Sequence, residues 1–413
     1  METSRKTQCC IAGGGPAGIV LGFLLARAGV DVIVLEKHAD FFRDFRGDTI
    51  HPSTMEVVYE LGLLDDFLRV PHQEARTLEG RIGGQAVTIA DFSHVPTRCK
   101  FLALMPQWDF LNFMSEHARS FPSFHLELNA EVEDIVVESG RVTGVRVKTP
   151  RGPEEIRADL VVGADGRTST VRAKAGLEIE DFGAPIDVLW MRVSRRPEDS
   201  EVPLGRIDTG KVLVMLNRGD YWQCAYVIRK GEFADLQARG IEAFREGLVA
   251  IAPEFADRAG ELHGWDDIKL LTVRIDRLRR WFRPGLVCIG DAAHAMSPIG
   301  GVGINLAIQD AVAAANILGP HFGRGPFPDA PLGAVQRRRE WPTKMTQRLQ
   351  IFVQDRVLSR VLAGTARMRP PAALRLLAIF PLLRSIPAYV VGVGFRPERV
   401  RLRAQGPSTM RTK

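Results

Sequence analysis

The chain is poor in cysteine, with five in 413 residues (Cys9, Cys10, Cys99, Cys224 and Cys288) and none spaced as CxxC. That spacing excludes a zinc cluster and a disulfide framework; the thiols read as buried groups of a reducing compartment. No run reaches the roughly 18 consecutive apolar residues that a membrane-spanning helix needs. The polar Met1–Gln8 segment leads through a short apolar stretch into Gly13-Gly14-Gly15-Pro16. That leaves neither the apolar core nor the small-residue cleavage site of a secretory signal, so a cytoplasmic location is expected. Internal repeats, low-complexity tracts, a catalytic triad and a paired-carboxylate motif are all missing. Nor is there a large excess of either charge, since 55 basic residues stand against 49 acidic ones, a net of +6. The basic residues are scattered, so a nucleic-acid partner is not indicated, while an anionic cofactor or an acidic substrate fits the sign.

What is present begins with size: 413 residues exceed one ordinary core and imply two or more domains. The opening reads β-loop-α-β. Cys9–Ala12 is a short strand, Gly13, Gly15 and Gly18 fit GxGxxG with Pro16 and Ala17 inside it, and Ile19–Ala28 is helical. Val30–Leu35 is a second strand, and Glu36 stands 21 residues after Gly15, near the roughly 20-residue spacing at which a carboxylate meets a ribose hydroxyl. Gly13 permits a tight turn, Gly15 lets backbone approach a pyrophosphate, and Gly18 allows close helix–strand packing. The helix N-terminus then offers free N–H groups to phosphate. By itself this fingerprint does not separate NAD from FAD.

Farther on, Ser53 and Glu56 have the spacing of a capping box for a helix after Pro52, which Gly62 would end. Helix is expected around 107–120, strands near 125–137, 142–147 and 156–162, then Gly163-Ala164-Asp165-Gly166. From about Asp181 to Lys230 the texture changes to strands at 188–193, 212–216 and 221–228 without intervening helices, which suggests an antiparallel sheet inserted into an α/β domain. The α/β pattern returns at 286–289 with Gly290-Asp291 and a long helix to about Leu318. Residues 324–331 read as a linker, and Leu332–Val400 as Arg-punctuated helix.

Several ordered motifs together resemble the FAD-dependent aromatic hydroxylases, the single-component flavoprotein monooxygenases of the p-hydroxybenzoate hydroxylase and ubiquinone-pathway hydroxylase type. They are Gly13-x-Gly15-x-x-Gly18 with Glu36-Lys37, Phe45-Arg46-Gly47, Gln107 opening a helix, and Asp165-Gly166 after a strand. Gly290-Asp291-Ala292-Ala293-His294 and Pro298 with Gly300-Gly301-Val302-Gly303-Ile304-Asn305 complete the set. The resemblance implies a Rossmann-like α/β FAD-binding domain (1–75, 100–180 and 280–330), an inserted, mostly antiparallel β-sheet substrate domain (76–99 and 181–279) and a C-terminal helical region (331–413). It also implies hydroxylation of an aromatic or polyketide-like molecule with NAD(P)H and O2, through a flavin C4a-hydroperoxide. Arg46 and Gln107 would contact the ribityl-pyrophosphate region, Val132 the adenine by its backbone, and Asp291 a ribityl hydroxyl. Asp165-Gly166 would serve FAD and the transient nicotinamide donor, while Gly301, Gly303, Ile304 and Asn305 would place a helix N-terminus at the flavin N1–C2=O edge. Asp165 also fits a helix cap, and His294, read as two residues into a helix, a packing role.

For the substrate, side chains facing inward from the inserted sheet are expected: Trp190, Met215, Tyr226 and Arg206, with Pro298 against the flavin face. Arg43, Arg46 and His51 form a polar cluster suited to guiding a mobile flavin or an anionic donor. Apolar stretches at 376–383 and 386–395 with Arg367, Arg369, Arg375 and Arg384 suit a helical cover on the core or a weak membrane-surface contact. Flavin-dependent halogenases share the fold, but their Trp-x-Trp motif is absent. A flavin-dependent reductase of isoprenoid double bonds and a non-catalytic flavin-binding protein are compatible with the same motifs.

Overall fold

The computed structural model describes residues 4–42, 49–199, 204–364 and 370–404. Its main sheet runs Phe282–Arg283, Leu286–Cys288, Gly152–Gly163, Ser4–Ala12, Val32–Glu36 and Phe124–Leu128. The last five of these pair in parallel, and the hairpin Glu131–Glu138/Arg141–Thr149 extends Gly152–Gly163 antiparallel. Parallel strands need both faces covered, and alternation along Ser4–Ala12 shows how. Cys9 and Ile11 point to helices Pro16–Arg27, Gln107–Ala118 and Gly303–Leu318, while Cys10 and Ala12 point to the hairpin and Trp281. All five cysteines are free and buried.

The second sheet has seven strands in the order Lys269–Leu271, Ile186–Ser194, Tyr221–Arg229, Lys211–Asn217, Leu204–Asp208, Thr77–Ile82 and Gln85–Asp91. Every pair is antiparallel except Leu204–Asp208 with Thr77–Ile82, where a distant segment joins the edge in parallel. One face packs on helices Phe233–Arg239 and Ile241–Ile251. The other packs on Ile299 and on Leu358, Val361 and Leu362, at the far end of a long helical rod. That rod runs from Ala330–Val353 through a π-turn at Gln354–Leu358 into Ser359–Ala363, so it spans both sheets.

Two local expectations are corrected. Helix Pro52–Glu60 has His51 at its N-cap and no side-chain cap; Ser53 donates instead to Asn305 and the Gly392 carbonyl, and Glu56 binds Arg98 and Arg399. Tertiary partners win over the local capping box. His294 lies in a short strand, His294–Ala295, not in a helix, because Asp276–Leu278 pairs with it. Ile299–His321 is long and apolar enough to cross a membrane, but 67% of its window is buried inside the fold, as befits a core helix.

That core helix carries Asp310, fully buried beside His294 and Arg339. Arg339 Nε donates to Asp310 Oδ1 at 2.8 Å. Asp310 Oδ2 accepts the Gly290 N–H at 3.0 Å and lies 2.5 Å from His294 Nε2. Burial alone would raise this carboxyl's pKa; the charge and hydrogen bond of His294, with Arg339, hold it below the ordinary carboxylate range. A depressed folded-state pKa contributes stability above about pH 4, and that contribution is lost as pH falls through the folded value. Arg339→Met should therefore cost about 3–5 kcal/mol by leaving a buried charge short of its partner. Acid unfolding of the variant should also begin at a higher pH, which circular dichroism across a pH series would measure.

Candidate functional site

The glycine-rich turn is built by steric need. Gly13 has φ +106°, and a Cβ there would meet the Ala164 carbonyl oxygen at 2.3 Å. A Cβ on Gly18 would lie 1.9 Å from the Gly13 carbonyl oxygen. Gly15 differs, for nothing lies within 4 Å of the position its Cβ would take. It is the N-cap of helix Pro16–Arg27, with Pro16 and Ala17 in the first turn. Open space over a helix N-terminus is what an approaching phosphate requires.

At the neighbouring strand end, Glu36 accepts N–H groups from Gly14 at 3.0 Å and His38 at 3.1 Å, which locks its carboxylate at the carboxyl edge of the sheet. Lys37 beside it is exposed. Val132 is buried two residues after Ala130, whose N–H bonds the Glu36 carbonyl at 2.9 Å. Gln107 opens helix Gln107–Ala118, half-buried, and this helix packs on Pro16–Arg27.

Asp165 caps the helix Thr170–Lys174 together with Ser169. Ser169 Oγ donates to it at 2.5 Å and the Val171 N–H at 3.0 Å, and burial pushes its carboxyl pKa up against those bonds. Gly166 has φ +84° and open space about it. The same turn carries Arg167, whose Nη2 lies 3.5 Å from Asp291 Oδ2. Asp291 follows strand Leu286–Cys288 with its side chain 30% exposed, unlike buried Gly290 and Ala292 on either side.

The third loop is Pro298–Val302. Gly301 has φ +63°, and a Cβ there would meet Thr49 Oγ1 at 2.3 Å; Gly303 opens the helix Gly303–Leu318. Ile304 is buried, and the Asn305 side-chain oxygen accepts from Ser53 Oγ at 2.9 Å and Thr54 Oγ1 at 2.8 Å. The Asn305 side chain therefore faces the core. His51, expected in a polar cluster, is fully buried, with Nδ1 2.7 Å from the Val391 carbonyl and Nε2 3.0 Å from that of Gly301. Burial lowers its pKa, and the two carbonyls work in the opposite direction. Arg43 and Arg46 lie outside the described residues.

Strand alternation divides the pocket candidates. Trp190 is half-buried on the face that packs on Ile299, beside Pro298. Met215 and Tyr226 face the opposite way, toward helix Ile241–Ile251, where the Tyr226 and Phe244 rings meet edge to face at 5.4 Å. Burial pushes the Tyr226 hydroxyl up to about 12, as suits a core residue. Arg206 turns the same way and pairs with Glu254. These three are corrected from substrate wall to domain core, because their partners across the strands fix the opposite parity.

The sequence reading missed a ladder of three buried glutamines on the long rod. Gln350 takes the Ser297 N–H at 3.1 Å and donates to the Ser297 and Ile299 carbonyls at 2.9 and 3.0 Å. Gln347 donates to the Asp276 and Ala295 carbonyls at 2.8 and 3.1 Å, and Gln354 donates to Ser297 Oγ at 2.5 Å. The rod thus grips the segment around Pro298 at both ends. Their spacing on one helical stripe, among apolar residues, was the available signal.

Residues 6–347 match the family described as FAD binding domain. The chain belongs to the FAD-dependent aromatic hydroxylase family. It is similar to 6-methylpretetramide 4-monooxygenase of Streptomyces rimosus, 35% identical over 384 residues, which cover 92% of this chain and 91% of that protein. It is also similar to para-nitrophenol 4-monooxygenase of Pseudomonas sp. strain WBC-3, 26% identical over 323 residues, 75% of this chain and 76% of that one. Among solved structures, p-nitrophenol 4-monooxygenase PnpA from Pseudomonas putida DLL-E4 has a TM-score of 0.73 at 22% identity, covering 95% and 96% of the two chains. At that identity the likeness speaks for the fold.

FAD fits the residues present. The helix N-terminus at Gly15 is open as a pyrophosphate would require, and Glu36 and the half-buried Asp291 are carboxylates at strand ends, acceptors suited to sugar hydroxyls. Asp291→Ala should fold yet purify with much less flavin, read from the visible-to-ultraviolet absorbance ratio; full occupancy would remove Asp291 from the site. Gln350→Met keeps the length and loses three hydrogen bonds, at about 1–3 kcal/mol for each buried group left unpaired. Hydrogen exchange should then speed up at Ile299–Gly301 more than in the main sheet.

Proposed function

We propose that this protein is an FAD-dependent monooxygenase that uses NAD(P)H and O2 to hydroxylate an aromatic or polyketide-like small molecule. The observation that carries the reading is a convergence. The Gly13–Gly18 turn, the Asp165–Arg167 turn and Asp291 follow parallel strands at the carboxyl edge of one sheet. Helix Gly303–Leu318, which the Pro298–Val302 loop leads into, packs on Pro16–Arg27 and on the Gly290–Ala292 turn, and the Trp190 face of a second sheet packs on Ile299.

Bound FAD supplies the redox chemistry, taking hydride from NAD(P)H and activating O2. The chain's part is to bind, orient and exclude water. Pro16, Ala17 and Gly18 present the open helix N-terminus to the pyrophosphate, Glu36 with Lys37 holds the adenosine end near Val132, and Gln107 and Arg46 serve the linking phosphates and ribityl chain. Asp291 accepts a ribityl hydroxyl, and Gly166 leaves room for the transient nicotinamide donor. The N–H groups of Gly303, Ile304 and Asn305 open a helix, whose dipole favours nearby negative charge by about 0.3–1 kcal/mol, more when buried. Trp190, half-buried beside Ile299, is the side chain of that face offered to a flat substrate, while Val188, Val212 and Val227 behind it are packed against the rod. His294 is committed to Asp310 and takes no part as a base.

The polycyclic substrate class is supported by the Streptomyces rimosus relative, whose name specifies action on 6-methylpretetramide. In the proposed division, 1–75, 100–180 and 280–330 hold FAD and 76–99 with 181–279 hold substrate. Five free, buried cysteines suit a cytoplasmic setting.

The test is a panel of phenolic and polycyclic aromatic compounds incubated with the FAD-loaded protein, NADPH and air, with products identified by mass. A gain of one oxygen atom with matching NADPH consumption is expected. A saturated double bond, or no NADPH oxidation with any compound, would favour the reductase or the non-catalytic binder instead.

A further inference from the structure

Helices Ala372–Ile379 and Ser385–Gly392 lie on strand Gln85–Asp91 and the turn Phe92–His94, at one edge of the second sheet. Their inner side is well packed: Ala388 is fully buried, and Gly392 sits so close to Phe92 that a Cβ would meet the ring at 2.9 Å. Their outer side is not. Leu382 is 73% exposed, Ile379 69%, Ile386 59% and Phe380 54%, and Leu376 and Tyr389 are exposed as well. Leu376, Ile379 and Phe380 follow helical i, i+3, i+4 spacing, and Ile386 and Tyr389 follow i, i+3, so each helix turns one stripe outward. Contiguous large apolar side chains left in water mark an interaction surface.

Charge identifies the occupant. Between Asp355 and Glu398 the sequence has seven arginines and neither an acidic residue nor a lysine. Two of the arginines flank the apolar stripe with their Nε atoms fixed on backbone, Arg375 on the Pro370 carbonyl at 3.1 Å and Arg384 on that of Leu377 at 3.0 Å. The nearby carboxylate Asp91 is engaged by Ser93 through its N–H at 2.9 Å and Oγ at 2.7 Å and also interacts electrostatically with Arg384, so it offsets one of the seven arginines. A second copy of the chain would set arginine against arginine across a twofold axis. Aliphatic side chains rimmed by guanidinium groups match the acyl boundary and headgroups of an anionic bilayer.

We infer that the outer face of Ala372–Ile379 and Ser385–Gly392 docks the protein reversibly on an anionic lipid surface. The same helix pair is tied to the Pro298–Val302 loop, because His51 is wedged between the Val391 and Gly301 carbonyls and donates its one ring N–H to one of them. Docking would therefore set the site beside the membrane, where a lipophilic aromatic substrate concentrates; that last step rests on the hydroxylase reading, whereas the docking does not.

The test is co-sedimentation of the full, FAD-loaded chain with vesicles of phosphatidylcholine alone or mixed equally with phosphatidylglycerol. Binding is expected to the mixed vesicles, reduced by salt and weak on phosphatidylcholine. Arg375→Gln with Arg384→Gln should weaken it roughly 25-fold, about fivefold for each arginine. Ile379→Ser, Leu382→Ser and Ile386→Ser together alter only exposed positions and should abolish it while flavin absorbance stays unchanged. No binding to mixed vesicles would overturn the inference, as would undiminished binding by the serine variant. Capture of an acidic protein by the parent chain with no vesicle binding would also overturn it. Sedimentation reads no turnover, so its failure is separable from a failure of the hydroxylase assay.

Discussion

A single buried carboxylate, Asp310, fastens the Gly290–Ala292 turn to the core helix and the long rod. Asp310 sits on the core helix with no access to water, so its charge is tolerable only because every partner is supplied by the fold. One oxygen takes the Gly290 N–H and faces His294; the other takes Arg339 from the long rod. The turn that aims Asp291 outward is thus fastened to the helix whose N-terminus opens at Gly303. Arg339 in turn reaches Glu398, which Arg338 also binds, so the C-terminal segment joins the same network. Polar networks of this kind are costly when one member is missing, which makes their geometry rigid.

The long rod does the corresponding work for the other half of the molecule. Its middle carries the glutamine ladder that holds Ser297 to Ile299, and its far end buries Leu358, Val361 and Leu362 against the second sheet. One continuous helical element therefore registers the second sheet against the Pro298–Val302 loop. His51 makes a comparable link from the other direction, joining that loop to the C-terminal helix pair. Together these ties fix the second sheet, the Pro298–Val302 loop and the C-terminal helix pair relative to one another.

Much of the local geometry of these loops was legible in the residues. Gly13, Gly18 and Gly301 are required by contacts under 3 Å that any Cβ would make, and steric need of that kind leaves glycine in the sequence. Glu36 and Asp291 were readable as acids at strand ends, where ligands bind in parallel sheets. Less legible were Ser53 and Glu56, whose local spacing matched a capping box while Asn305, Arg98 and Arg399, far away in sequence, offered better partners. Met215 and Tyr226 failed for another reason. Alternation shows which residues of a strand share a face, but not which face looks toward the flavin.

From the sequence alone came the α/β class, the inserted sheet, the dinucleotide turn and the ordered motifs of a flavoprotein hydroxylase, because each depends on local periodicity or on the steric demands of short loops. The tertiary structure decided the parity of the second sheet, the joining of Thr77–Ile82 to Leu204–Asp208, the burial of Asp310 with Arg339 and the outward face of the last helices. Those features arise from contacts between segments far apart along the chain, where free energy depends on what each residue meets and not on its neighbours in sequence.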